Sequence, residues 1–303
     1  MTKHYITIIL FYFLGFTLNA QEKYITTSDS VELYVHIKGT GTPCLFVHGG
    51  PGQGSYYWKK FAGDFCENEF QMIYLDQRGC GHSTSPQDKN YSLSRMIKDF
   101  EEVREALNIE QWMIMGHSFG GILQTAYASE KQSKILGILM FQCTLNLTES
   151  MENNHIPMAT NMFDIDDSEY YRNTEIPLKT RLDSMYRSIY SQGIDPWELS
   201  FSSKGEVDQF RAMFQELDEW NTEFSQEAFG IEEYLLDFTD LTKSIDVPVL
   251  YFYGTKDINV GYDHYKSIHF PNMLLYPFEG KHMDFIGNKK VYKKAISAYL
   301  AKF

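Results

Sequence analysis

The chain has 303 residues, 43% of them hydrophobic, and a formal net charge of −13. That length suits one large domain or a core with an inserted lid, and so acidic a balance argues against nucleic acid as a partner. The four cysteines (Cys44, Cys66, Cys80, Cys143) show no metal-binding spacing.

The first twenty residues, "MTKHYITIILFYFLGFTLNA", carry Lys3, then an uncharged apolar core, then the small residue Ala20. This is the shape of a secretory signal peptide over 1–20, with cleavage expected before Gln21. The apolar run over 6–18 is shorter than the roughly 20 residues that span a bilayer. The mature chain is therefore expected to be exported, periplasmic or secreted, with no stable membrane insertion. An oxidising compartment would permit a disulfide such as Cys66–Cys80, although connectivity is not written in a sequence. Cys44 and Cys143 fall in strand-like apolar runs and read as core residues.

Beyond Gln21, "YITTSD" and "VELYVHIKG" alternate and predict a hairpin. "PCLFVHGG" (43–50) and "FQMIYLDQRG" (70–79) are apolar on both faces and end in glycine turns, as strands buried inside a parallel sheet do. Leu93, Met96, Ile97, Phe100, Val103 and Leu107 recur at helical spacing and predict an amphipathic helix over 92–109. "WMIMGHS" is the next strand, "GILQTAYASEKQ" a helix and "ILGILMFQC" a further strand. Residues 145–240 show no clear strand and are crowded with aromatics and acids. Strand character resumes in "IDVPVLYFYGTKD", followed by a helix candidate, the strand "NMLLYPFEG" and a helix over 288–303. The alternation predicts an α/β protein with a mostly parallel, doubly wound sheet. Its core is expected over 21–144 and 241–303, and 145–240 reads as a helical cap inserted over the strand ends.

In "IMGHSFGGIL" (114–123) one hydroxyl stands between glycines at a strand-to-helix junction. A serine is a poor nucleophile until a base takes its proton, and that base needs a carboxylate to fix its tautomer. A sharp turn between strand and helix lifts the Ser118 Oγ clear of the sheet edge. The acid should follow a later strand, where "VPVLYFYGTKD" ends in Asp257. Asp240 and Asp246 lie near, but neither follows the strand. The base should follow the next strand, where "NMLLYPFEGKHMDF" supplies His282. Two backbone N–H groups are then needed for the developing oxyanion. Phe119, next to the nucleophile, supplies one. The loop "HGGPG" (48–52) supplies the other through Gly50, because Pro51 has no N–H and glycine admits a close substrate.

"HGGPG", "DQRGCGHS" and "GHSFGG", with the late Asp257 and His282, resemble the α/β-hydrolase superfamily, in particular the proline iminopeptidase-like serine peptidases. The resemblance covers nearly all of the mature chain outside the insertion. It implies an α/β-hydrolase fold with an inserted helical cap domain, a nucleophilic Ser118, and no metal or organic cofactor. It also implies a structural role for Arg78 of "DQRG", paired with acids around the active-site loops. Two features depart from the family: "GHSFG" stands where those peptidases usually carry "GGSWG", and their amine-binding cap glutamates are matched only faintly. "PWEL" (Glu198) and "IEEY" (Glu232, Glu233) are the candidate substrate-binding positions.

Residues 145–240 hold 21 Asp and Glu against six Lys and Arg, so the insertion carries essentially all of the negative charge. Acids over a cleft would favour a cationic substrate such as a peptide N-terminus; the alternative is that they keep an exported lid soluble. Trp197, Phe201, Phe214 and Trp220 suit either an apolar subsite or the lid's own core. The function expected is a serine hydrolase working through a Ser–His–Asp triad and an acyl-enzyme on a small-molecule or short-peptide substrate. Its first form is an aminopeptidase releasing an N-terminal residue such as proline. A carboxylesterase or lactonase on small esters needs the same parts. A non-catalytic ligand-binding protein of the same fold is the third form. Epoxide hydrolases and dehalogenases of this superfamily need a carboxylate where Ser118 stands.

Overall fold

The computed structural model describes residues 20–165 and 168–303, so the expected signal peptide lies, but for Ala20, outside the described residues. Among the described residues eight strands form one sheet. In chain order they are β1 (Gln21–Thr26), β2 (Glu32–Lys38), β3 (Thr42–Val47), β4 (Phe70–Leu75), β5 (Trp112–His117), β6 (Ile135–Phe141), β7 (Val249–Gly254) and β8 (Met273–Phe278). Their spatial order is β1-β2-β4-β3-β5-β6-β7-β8. β1 and β2 form the expected hairpin, with Gln21 opposite Ile37. β2 meets β4 antiparallel, and every pairing from β4 to β8 is parallel.

The central strands are apolar throughout because both faces are covered, and their residues divide by alternation. Leu45, Val47, Ile73, Ile114 and Tyr251 enter one core cluster, packed against α2 (Leu93–Ala106) and α3 (Gly120–Lys131). Cys44, Phe46, Tyr74, Met115 and Phe252 enter the other, against α1 (Tyr56–Cys66) and α10 (Lys289–Lys302). The helix predicted over 92–109 is α2, with Ser92 as its N-cap accepting from the Arg95 N–H. Helix α1 is an addition to the sequence reading. It buries Tyr57, Trp58, Phe61, Ala62 and Phe65, which recur at helical spacing.

This division disposes of the disulfide. Cys66 belongs to the α1 face of the sheet and Cys80 to the opposite cluster, so the expected Cys66–Cys80 bridge cannot close. All four cysteines are buried and free.

Between β6 and β7 lie α4 (Leu147–Glu149), a π-helical turn (Ser150–His155), α5 (Ile156–Met162), α6 (Ser168–Arg172), α7 (Leu178–Ser191), α8 (Lys204–Met213) and α9 (Glu223–Glu227), with short 3-10 turns between several of them. Among the described residues the first half of the insertion has a cluster apart from the two main ones, in which Ile156, Leu178, Leu182, Met185 and Ile189 meet Ile258. The second half is built into the two main clusters: Phe210 and Met213 into one, Phe224, Tyr234 and Phe238 into the other. Acids of the insertion clamp the seam to the core. Glu216 pairs with Lys60, and Glu223 lies 2.7 Å from the Lys89 Nζ. Among the described residues no helix is long and apolar enough to cross a membrane.

Candidate active site

Ser118 follows directly on β5, at φ +57°, a left-handed conformation that side chains rarely adopt. Backbone hydrogen bonds over-determine it. Its N–H donates to the Phe141 carbonyl at 3.3 Å, and its carbonyl accepts from the Gly121 and Thr144 N–H groups at 3.0 and 3.1 Å. The turn leads into α3 and stands the hydroxyl at the carboxyl ends of the parallel strands, where open α/β sheets place their ligands.

The loops after β7 and β8 bring two further side chains to that hydroxyl. His282 Nε2 lies 2.9 Å from Ser118 Oγ, and His282 Nδ1 lies 2.8 Å from Asp257 Oδ2. With Nδ1–H donating to the carboxylate, Nε2 is left to accept the serine proton, a tautomer fixed by its partners. The second oxygen of Asp257 accepts the Asn259 and Val260 N–H groups at 2.9 and 3.2 Å. The carboxylate, 2% exposed, is thus held on both sides.

The glycine loop after β3 supports the nucleophile from beside it. A Cβ on Gly49 would come within 2.6 Å of Ser118 Cβ and 2.7 Å of the His117 carbonyl, so only glycine fits. Gly50 and Phe119 both line the cavity beside Ser118. Neither of their N–H groups donates to a protein acceptor among the described residues. Both remain available to charge developing next to Ser118 Oγ.

Two buried histidines that sequence reasoning gave no role hold these loops together. The Gly49 N–H donates to the Tyr57 hydroxyl (3.3 Å), which donates to His117 Nδ1 (3.0 Å), and His117 Nε2–H donates to the His282 carbonyl (3.1 Å). One ring therefore links the glycine loop, the nucleophile strand and the His282 loop. Burial, aided by the neighbouring His282, pushes the His117 imidazolium well below the usual histidine range, so the ring stays neutral. His48 joins the two glycine motifs. Its Nδ1–H donates to the Gly49 carbonyl, and its Nε2 accepts the Gln77 N–H at 3.1 Å. Arg78 is fully buried, but the acids it pairs are Asp99 on α2 (2.6 Å) and Asp29 in the β1–β2 turn (2.9 Å). Its partners thus belong to the scaffold behind the site, not to the loops around it.

Above Ser118 is a cavity of about 520 Å³ between the core and both halves of the insertion. Its walls are largely apolar and aromatic, with Phe119, Leu147, Met151, Leu182, Trp197 and Phe229 among them. Among the described residues that line it Asp183 is the one carboxylate, and it is paired with Lys179 at 2.7 Å. Glu198, Glu232 and Glu233 do not line the cavity. They stand on 3-10 turns (Pro196–Leu199 and Glu232–Leu235) whose apolar residues face inward, which turns the acids to solvent. Glu233 instead accepts the Leu93 N–H at 2.8 Å and anchors the insertion to α2. Of the four aromatics noted in the insertion, Trp197 lines the cavity and Phe201 is buried in the core. Trp220 packs edge-on against His82, and Phe214 is 39% exposed.

The chain matches the family of the alpha/beta hydrolase fold over residues 42–289, and it belongs to that family. A proline iminopeptidase of Lactobacillus delbrueckii subsp. lactis is 26% identical over 301 residues, covering 92% of this chain and 97% of the relative. A proline iminopeptidase of Neisseria gonorrhoeae is 33% identical over 121 residues, which is 39% of this chain and only 38% of that relative's length. Among solved structures, a proline iminopeptidase-related protein from Thermus thermophilus superposes with a TM-score of 0.73 at 18% identity, over 93% of this chain and 98% of the other. An esterase from Exiguobacterium antarcticum gives a TM-score of 0.69 at 17% identity, over 93% and 100%. At these identities the two structures share the fold.

Proposed function

We propose that this chain is a serine hydrolase that cleaves the acyl bond of a small, uncharged substrate through an acyl-enzyme. The observation that carries the reading is the unbroken hydrogen-bond line from Ser118 Oγ through His282 to Asp257 at the floor of the cavity. His282 Nε2 takes the serine proton as Oγ attacks the acyl carbon. The Gly50 and Phe119 N–H groups receive the oxyanion, and His282 then gives its proton to the departing oxygen or nitrogen. Water, activated by the same imidazole, hydrolyses the acyl-serine ester and restores the hydroxyl. Asp257 orients the ring and balances its positive charge in each half of the cycle.

The walls favour an ester or lactone. Among the described residues an ammonium group entering this cavity meets one carboxylate, Asp183, and that carboxylate is paired with Lys179. The cavity's apolar lining suits an uncharged acyl chain. A second reading, aminopeptidase, is supported by the full-length iminopeptidase relative and by Asp183 as a seat for the amine once Lys179 moves aside. The two separate in one comparison: kcat/KM for p-nitrophenyl butanoate, for a prolyl arylamide, and for the same arylamide N-acetylated. The ester reading expects turnover of the ester and no advantage for the free amine. A strong preference for the free amine would replace it with the aminopeptidase.

A further inference from the structure

The stretch "PWELSFS" (196–202) of the insertion, whose glutamate does not reach the cavity, grips the triad's loops through other groups. The Met283 N–H donates to the Ser200 carbonyl at 2.8 Å. Lys281 Nζ donates to the Glu198 carbonyl at 2.7 Å. Ser202 donates twice to Asp284, from its N–H at 2.8 Å and from its hydroxyl at 2.6 Å. The Ser200 hydroxyl donates to Asn259 Oδ1 at 3.2 Å, and the Asn259 N–H is one of the two that hold Asp257. The insertion therefore ties both neighbours of His282 and, through Asn259, the acid loop as well.

Asp284 is the centre of this arrangement. It is 1% exposed, and its hydrogen-bond partners among the described residues are neutral donors: the two groups of Ser202 and the Lys281 backbone N–H, the last at 2.8 Å. A buried carboxylate is costly unless such donors surround it, so it fixes the segments that carry them. One of those segments is the insertion, and the other leads straight into His282. Three successive backbone groups are held in this way: the Lys281 N–H by Asp284, the His282 carbonyl by His117, and the Met283 N–H by Ser200. Two of the three ties run to the insertion, directly or through Asp284. Neither Asp284 nor Ser202 lines the cavity, so any effect on the chemistry reaches it through the loop that carries the base.

We propose that Asp284 and Ser202 are positioning residues through which the insertion holds His282 in line with Ser118 Oγ. The insertion is then part of the machinery that sets the base, besides being a wall of the cavity. This rests on the serine-hydrolase reading.

A double-mutant cycle tests it. The rate of Ser118 labelling by a fluorophosphonate is measured in wild type, Ser202→Ala, Asp284→Asn, His282→Ala and the two double variants. Asp284→Asn sets an NH2 against a backbone N–H whichever way its amide turns. It is expected to slow labelling by roughly tenfold to a hundredfold, and Ser202→Ala by less, since a base about 1 Å out of place costs that much. In the His282→Ala background, where there is no base left to position, neither change should slow the residual labelling by more than about twofold. Ser202→Thr, which keeps the hydroxyl, should recover most of what Ser202→Ala loses. A merely structural role would slow labelling by the same factor in both backgrounds. Equal factors in the two backgrounds, or wild-type rates in Asp284→Asn, would overturn the proposal and leave the hydrolase reading standing. Should Asp284→Asn fail to fold, Ser202→Ala decides alone, and a wild-type rate there would overturn the proposal in the same way. Failure of the folded wild type to label at Ser118 would overturn both.

Discussion

At the scale of single residues the site is a set of fixed hydrogen bonds, and each can be removed separately. Replacing Ser118 with alanine deletes the nucleophile, and kcat is expected to fall by about 10⁶ in a steady-state ester assay. Asp257→Asn leaves the shape of the His282 contact but favours the wrong tautomer, at a cost of about 10⁴ in kcat. Equal activity in either variant would contradict the assigned roles. Gly49→Ala tests the packing beside the nucleophile. A Cβ there meets Ser118 Cβ at 2.6 Å and backbone at 2.7 Å, neither of which can give way, so activity should be lost even where the variant folds. Ser118, Asp257 and His282 could be picked out as candidates in the sequence because each follows a strand and a turn whose residues announce it, whereas the close packing of Gly49 could not. Nor could His117 and His48. A histidine bonded to backbone on both sides leaves no spacing pattern, and its partners, Tyr57, His282 and Gln77, lie far off in the chain.

At the scale of elements, the strands were readable because burial on both faces makes them continuously apolar, and α2 because one face repeats over 14 residues. Helix α1 was harder to read: its 11 residues lie between two turns and mix aromatic residues with lysines. Its weight in the structure is considerable. Trp58 is fully buried, stacks on Phe46 at 5.1 Å, and lies 5.4 Å from the His117 ring that links the site's loops. Trp58→Ala should cost about 3–5 kcal/mol, seen as a lower urea midpoint; a loss below ~1 kcal/mol would mean that α1 is not tied into the core as described. The acidic insertion shows where composition misleads. Charge counting cannot tell a cavity wall from a seam, and here Glu216, Glu223 and Glu233 are used to hold the insertion to the core. His155 and Tyr186, which do line the cavity, come from a π-helical turn and a helix with no motif to mark them.

At the scale of the whole molecule, burial of neutral histidines ties stability to pH. His155 and His117 have folded-state values below the ordinary 6.5, His155 near 4. Between about pH 6.5 and 4 the unfolded chain therefore binds more protons than the folded one, and stability falls as the solution is acidified. For His155 alone the upper bound is about 3 kcal/mol, at 1.36 kcal/mol per unit. The urea midpoint should drop between pH 7.5 and 5.0, and His155→Leu should flatten that slope. A midpoint unchanged with pH would contradict the buried neutral rings. We further propose that the chain is exported, since β1 begins at Gln21, directly after the expected cleavage point. Intact mass of the protein from cell fractions should then show a mature chain starting at Gln21, and a cytosolic chain retaining residues 1–20 would refute export. The central claim remains that Ser118 is an activated nucleophile. It is tested most directly by exposing the folded protein to a fluorophosphonate and mapping the adduct by peptide mass. One adduct is expected, on Ser118, formed far more slowly in His282→Ala and absent in Ser118→Ala. An unlabelled Ser118, or labelling indifferent to His282, would contradict it.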